Sequence, residues 1–347
     1  KQANANKRKK SAKTVDQECT EIAMQIHHNL GHPNVADTID MIGREITGCF
    51  HDKSAIAAAY RQLKSCTFCD LGKSVRNDPF IKHKKSTVPG EVLCADVVYT
   101  THRKTNTVMQ HLSMDEASDH LSIANMEANN RATLSDIHRQ LHIAWKARGF
   151  ETKTIKYDAD KVVSSMTQDT IKIAQAQPGE HQPTIERTVR TMRERIRTIT
   201  STLNFHPDER MVGYLMKYIV DTLNCVKSKT TGKIPNKVIN PEWSLDLNVD
   251  LTLAYGDLIL CNIKRGKSSV AKLDPAKHAC IVMHTSMDGT GQIRIYSLNT
   301  QQYYVSTGKL GTFKKLVWTD NIRNVVNLII HDDVEQPIRD VEDYFVP

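Results

Sequence analysis

The sequence predicts a multidomain chain: a small helical unit, then a mixed α/β core, then a small all-β barrel. Three observations predict it. Before Cys66, apolar residues recur at helical spacing, at Ile22, Met24 and Ile26 and again at Ile56, Ala59, Tyr60 and Leu63. From residue 91 short β-rich runs take over, VLCADVVYT, TVMQHLSMD and HLSIANME, followed by an amphipathic helix near 131–147 and the strand TKTIKYD. After residue 250 short strands alternate with turn residues, GDLILCNI, HACIVMHT, GQIRIYSL, QQYYVST and GTFKKLVWT, with the spacing of a small barrel.

Taken in order, residues 1–14 read as a basic tail and 15–77 as the helical unit, with helices near 15–30 and 53–65. Residues 78–90 hold Pro79, Lys82, Lys84, Lys85 and Pro89 without periodicity and read as a linker. The core spans 91–230 and includes two further helices near 184–203 and 208–227; SKTTGKIPNKVINPEW then ends the helical region, and 231–250 reads as a second linker. The barrel takes 251–335, and 336–347 is an acidic C-terminal segment.

At 347 residues the chain is long enough for two or three domains with cores of their own. Forty-seven Lys and Arg against 39 Asp and Glu leave a formal charge of +8, which favours a polyanionic partner. No run approaches the roughly 18–20 apolar residues of a membrane span, and KQANANKRKK lacks the apolar core of a signal peptide, so a soluble, intracellular protein without a membrane partner is expected. Of eight cysteines only Cys66 and Cys69 are closely spaced, which argues against a disulfide framework. No nucleophile elbow, P-loop or dinucleotide fingerprint points to another enzyme class.

Two constellations carry chemistry. In the first, IHHNLGHPN supplies His27, His28 and His32 and CTFC supplies Cys66 and Cys69; two imidazoles and two thiolates close a tetrahedral zinc site. On a regular helix His28, one turn before His32, is the better partner, whereas His27 points elsewhere. His32 precedes Pro33, however, and a residue before proline is pushed out of the α region, so the turn need not be regular.

The second constellation is acidic. Asp96 lies inside the apolar run LCADVVY, where a carboxylate is costly unless it is paired or metal-bound, and Asp158 ends TIKYD in the same fashion. Glu186 opens the helix TIERTVRTMRERIRTIT, with Arg190, Arg193 and Arg197 on its own face and Ile185, Val189, Met192, Ile196 and Ile199 on a separate apolar stripe. Carboxylates that hold divalent metal, set beside an arginine ridge, suit phosphodiester chemistry on DNA. Each acid taken singly also fits a turn cap or a solvated helix face.

HHNLGHPN, CTFCDLGK followed by a proline and Phe80, PGEVLCADVV, MDEASDH, IKYDAD and QPGEHQPTIER together resemble the integrase of copia-type LTR retrotransposons, over roughly residues 20–330. The resemblance implies a His2Cys2 zinc domain, an RNase H-like catalytic core and an SH3-like β-barrel. It implies structural Zn2+ at His27, His32, Cys66 and Cys69, the family's spacing favouring His27 over His28. Two catalytic Mg2+, for which Mn2+ can substitute, fall to Asp96, Asp158 and Glu186. The basic residues themselves point to DNA phosphate contacts at Arg187, Arg190, Arg193, Arg197, Lys264, Arg265 and Lys267 and in the basic linker around 82–85. The segment YGDLILCNIKRGKSSVAKLDPAKHACIVM resembles the family's post-catalytic stretch.

The activity so implied is a D,D,E-type polynucleotidyl transferase that joins 3′ ends of the element's DNA to a target duplex. Its partners are LTR-end DNA, target DNA and further copies of the chain, as a tetramer or larger. It works in the nucleus, with cytoplasmic virus-like particles before import. One departure stands out: only 27 residues separate Asp158 from Glu186, fewer than the family's usual interval, and the shortage falls in VVSSMTQDTIKIAQAQ. Glu194, two turns along the same helix, is the rival acid, and Asp160 stands where many relatives carry Gly. The alternatives are an integrase-derived DNA-binding protein with an impaired site and a stand-alone RNase H-type nuclease.

Overall fold

A computed structural model describes residues 14–44, 46–48, 51–62, 66, 69, 86–102, 106–158, 161–164, 171–175, 183–263, 277–308 and 311–331. The expectations for residues 1–13, Lys82, Lys84, Lys85, Asp160, Lys264, Arg265, Lys267 and the acidic segment 336–347 lie outside the described residues.

The helical unit opens with α1 (Val15–Asn29), started by a capping box in which Thr14 accepts from Gln17 N–H and Gln17 returns its side chain to Thr14 N–H. Next come α2 (Val35–Arg44), the short β1 (Ile46–Thr47) and α3 (Lys53–Gln62). Sequence periodicity predicts α1 and α3 and passes over α2, whose buried side is short and includes Thr38 beside Met41 and Ile42. Ile26, Leu30, Met41, Ile42, Ile56 and Tyr60 are fully buried together, each of the five aliphatic side chains stabilising by roughly 1.5–3 kcal/mol.

The core sheet contains β2 (Val92–His102), β3 (Asn106–Asp115), β4 (Leu121–Met126), β5 (Thr154–Tyr157) and β6 (Lys172–Gln175), in the order β4-β3-β2-β5-β6. The pairs β2/β3 and β3/β4 are antiparallel, whereas β2/β5 and β5/β6 are parallel. Parallel strands need a crossover, and α4 (Arg131–Ala147) supplies it between β4 and β5. The one-turn α5 (Lys161–Ser164) stands near the start of the shortened stretch before β6. Strand alternation sorts the faces. Leu93 and Ala95 pack with Leu134, Ile137 and Trp145 of α4, while Cys94 and Val98 pack with α6 (Pro183–Thr200) and α7 (Glu209–Asn224).

Residues 231–250 are structured where a linker was expected. They hold α8 (Pro235–Ile239) and β7 (Leu245–Asp246), and β7 pairs in parallel with β1, Ile46 opposite Leu245. Trp243, Leu245, Leu247 and Leu251 bury into the same apolar cluster as the helical unit, and Gln25 and Asn29 of α1 both donate to the Leu251 carbonyl.

The C-terminal strands β8 (Leu258–Asn262), β9 (Lys277–Thr285), β10 (Gln292–Ser297), β11 (Gln302–Thr307) and β12 (Phe313–Lys315) form an antiparallel sheet in the order β11-β10-β9-β8-β12. Ile259, Cys261, Val282, Ile293 and Ile295 fill one side of it. The stretch expected to be barrel through residue 335 instead includes α9 (Asp320–His331), whose Ile322, Val325, Val326 and Ile329 follow helical spacing and join the main core. No helix among the described residues is long and apolar enough to cross a membrane.

β4 is an edge strand, and Asn224 at the end of α7 completes it. The Asn224 amide accepts from Leu121 N–H at 2.8 Å and donates to Leu121 C=O at 2.9 Å, with the residue 3% exposed. Asn224→Ala is expected to strand both groups and lower the unfolding free energy by about 2–3 kcal/mol in chemical denaturation. A loss under about 0.5 kcal/mol would mean that water replaces the amide.

Candidate metal centres

The His/Cys cluster is built by the way α1 ends. Gly31 and His32 both take left-handed backbone, φ 64° and 58°, and Gly31 N–H reaches His28 C=O at 3.0 Å while His32 N–H reaches His27 C=O at 2.9 Å. This double closure reverses the chain. It folds the His32 ring back over His27, with His32 Nδ1 at 3.0 Å from His27 Nε2. The one-turn rule that favoured His28 fails here because the helix has already stopped at Asn29.

Cys66 Sγ lies 3.5 Å from His32 Nδ1, and Cys69 Sγ lies 3.5 Å from both His27 Nε2 and His32 Nδ1. The four donor atoms all fall within 4.8 Å of one another. His28 lies outside this set: burial lowers its pKa, and its Nε2 is buried with no hydrogen-bond partner among the described residues. Tyr60, which sequence reading placed only in the core, accepts from His27 Nδ1–H at 2.8 Å and donates to Thr38 Oγ1 at 3.4 Å. That arrangement leaves the His27 Nε2 lone pair facing the cluster. Burial pushes the Tyr60 hydroxyl up to about 12, so it stays neutral.

A buried cation joins this unit to the core. Arg195 of α6, 6% exposed, donates to Leu30 C=O at 3.1 Å and to Thr222 Oγ1 at 3.2 Å. Burial lowers its pKa to about 10, which still leaves it charged near neutral pH. Leu30 carries an end carbonyl of α1, so the negative end of that helix dipole faces the guanidinium.

The carboxylates are brought together by register. β2 and β5 run in parallel with Ala95 opposite Tyr157, so Asp96 and Asp158 come next to each other one residue on. Asp96 shares its sheet face with Cys94 and Val98, the face covered by α6, whose first turn carries Glu186. The Asp96 carboxyl is raised to about 6, first by burial and then by the like charges of Asp158 and Glu186, against the Val97 N–H at 2.8 Å and Arg193. Glu194 instead lines a cavity with His32, Asn34 and Asp119.

Arg187, Arg190, Arg193 and Arg197 are exposed along α6. Among the described residues, the His/Cys set is the one group of three or more donors gathered tightly enough for a single ion. The carboxylates stand farther apart, within reach of each other's charge.

Sequence reading also passed over Lys156, two residues before Asp158 on the same strand face. Its ammonium meets Glu116 at 2.8 Å, and Cys94 S–H donates to the same carboxylate at 3.3 Å. Burial opposes ionisation of Glu116, yet Lys156 and the Ser86 N–H together hold its pKa below the usual value.

No protein-family model matches the sequence, and no curated protein does. Among solved structures, the chain is similar to a simian T-cell lymphotropic virus intasome in complex with PP2A regulatory subunit B56 gamma. That match has a TM-score of 0.41 and 11% identity, and covers 87% of this chain and 99% of the other. It is also similar to the HTLV-2 integrase catalytic core domain in complex with magnesium. The trimeric form gives a TM-score of 0.35 at 17% identity and the dimeric form 0.34 at 16%, each covering 44% of this chain and 98% of the other.

Two measurements probe the centres separately. Tyr60→Phe removes the hydroxyl that His27 Nδ1–H meets and is expected to weaken zinc binding about tenfold in competition with a chromophoric chelator; unchanged affinity would mean that the hydroxyl orients nothing. For Asp96, the raised pKa means that the proton's contribution to stability is present below about 3.9 and lost as pH rises through about 6. Asp96→Asn is therefore expected to raise the metal-free thermal midpoint near about pH 8, the gain vanishing toward about pH 4.

Proposed function

We propose that the protein is an integrase that joins 3′ ends of LTR-retrotransposon DNA to target DNA by Mg2+-dependent transesterification. The observation that carries this reading is the parallel register of β2 and β5, which sets Asp96 beside Asp158 on the face where α6 presents Glu186. Hard carboxylate oxygens suit Mg2+, with Mn2+ as substitute, and a mixed imidazole and thiolate set suits structural Zn2+.

Bound between Asp96, Asp158 and Glu186, two Mg2+ would activate the attacking 3′-hydroxyl and stabilise the leaving oxygen of the target phosphodiester. The chain's own residues do the rest. Asp96, raised toward neutrality in the metal-free fold, gives up its proton most readily when positive charge arrives beside it. The exposed arginines of α6 position DNA through its phosphates without reading sequence. His27, His32, Cys66 and Cys69 hold the zinc that closes the end of α1, and Arg195 ties that end to α6.

Two DNA ends acting on one target duplex imply a homo-oligomer, a tetramer or larger, and host DNA as substrate implies the nucleus. A second reading, an integrase-derived DNA-binding protein with an impaired site, is favoured by the 27-residue interval between Asp158 and Glu186. It predicts DNA binding without joined products.

In a strand-transfer assay with paired LTR-end oligonucleotides and saturating Mg2+, Asp158→Asn is expected to abolish joining; activity near the parent's would remove the metal-site assignment. The double variant Cys66→Ser with Cys69→Ser is expected to lose bound zinc, and undiminished zinc would refute the other site.

A further inference from the structure

Beneath Asp96, on the opposite face of the sheet, lies a buried polar tie that the proposed chemistry does not use. Tyr157 of β5 pairs with Ala95, and His111 of β3 pairs with Val97, so the two flank Asp96 in register from either side of β2. Strand alternation turns both side chains away from Asp96 and toward α4. There the Tyr157 hydroxyl meets His111 Nε2 at 2.6 Å and also contacts Nε2 of His138 on α4. All three are 2% exposed or less. Ala95 between them carries only a methyl group, which leaves room for the rings to meet across β2.

A hydroxyl has one proton to give and lone pairs to receive, so Tyr157 donates to one imidazole and accepts from the other. The ring that accepts must be neutral. Burial, and then the neighbouring His138, lower the His111 pKa to about 3, which keeps it neutral at any working pH. Leaving any of these groups unpaired at this depth would cost roughly 1–3 kcal/mol.

The position of the tie matters because the β2/β5 ladder ends at the Ala95–Tyr157 pair, one residue before Asp158. Tyr157 is the final residue of β5, paired with Ala95 on one side and Gln175 of β6 on the other, so its side chain anchors the strand directly before Asp158. We propose that His111, Tyr157 and His138 form a positioning tie that fixes the spacing of Asp96 and Asp158, and thereby sets how tightly the carboxylate site holds divalent metal. The inference rests on reading those carboxylates as a metal site. These three residues touch no reacting atom; they act through the strands that carry the two aspartates.

The test is Mn2+ binding to the 347-residue chain, followed by electron paramagnetic resonance, with zinc content and thermal midpoint measured alongside. Tyr157→Phe is expected to weaken the Mn2+ binding that Asp158→Asn abolishes by about 10–100-fold, as loss of a ligand-supporting shell does, with zinc content unchanged. Asn224→Ala serves as the control for lowered stability alone and is expected to bind Mn2+ as the parent does. Parent-like binding by Tyr157→Phe, or equal weakening by Asn224→Ala, would overturn the tie. Should Tyr157→Phe not fold, His138→Gln carries the same test: weakened binding supports the tie and parent-like binding overturns it. If the parent shows no Mn2+ binding that depends on Asp158, the carboxylate reading fails and this inference with it.

Discussion

The parallel pairing of β2 with β5 is the constraint on which the carboxylate cluster depends. Among the described residues the pair runs from Val92 with Thr154 to Ala95 with Tyr157, and its register decides which face each acid takes. A slip of one residue would carry Asp158 to the α4 side and Tyr157 to the α6 side. The slip is opposed from both faces: Ile155 and Tyr157 are buried against α4, while Lys156 is held to Glu116 on the other side. The strand is short, but its side chains are specified on both faces.

Helix α6 then carries three different loads on one stretch of sequence. Its stripe of Ile185, Val189, Met192 and Ile199 packs into the core, its exposed arginines face outward, and Arg195 turns inward to the end of α1. A guanidinium buried with neutral acceptors is expensive, and two hydrogen bonds and a helix terminus offset the cost only in part. The folded position of α6 is therefore bound to that of the His/Cys turn. Gly31 keeps the approach open: a Cβ there would lie 3.0 Å from Thr222 Oγ1 and 3.4 Å from the Arg195 guanidinium.

Much of the carboxylate arrangement was legible in the sequence, because alternation within LCADVVY and TIKYD and the helical spacing of TIERTVRTMRERIRTIT are local patterns. The choice between His27 and His28 was not legible from helical geometry, since it depended on where α1 stops, and a Gly31–His32 reversal is a tertiary outcome as much as a local one. Likewise α9 was hidden among short β-like runs, although its apolar spacing is helical. The tie among His111, Tyr157 and His138 could not be read at all. It joins residues 27 and 46 positions from His111, and nothing in a single strand's pattern names its partners across a sheet.

The rung between β1 and β7 joins Ile46 to Leu245, nearly two hundred positions along the chain. Closing so long a loop costs conformational entropy that local helix formation does not, and contacts of this span form late. As the chain leaves the ribosome, α1 to α3 emerge well before Leu245 and Leu251, the residues that seal the apolar side of the unit. The His/Cys turn therefore waits with part of its core uncovered until the central sheet has been made, so the N-terminal unit is completed only after a segment some two hundred positions further on has emerged.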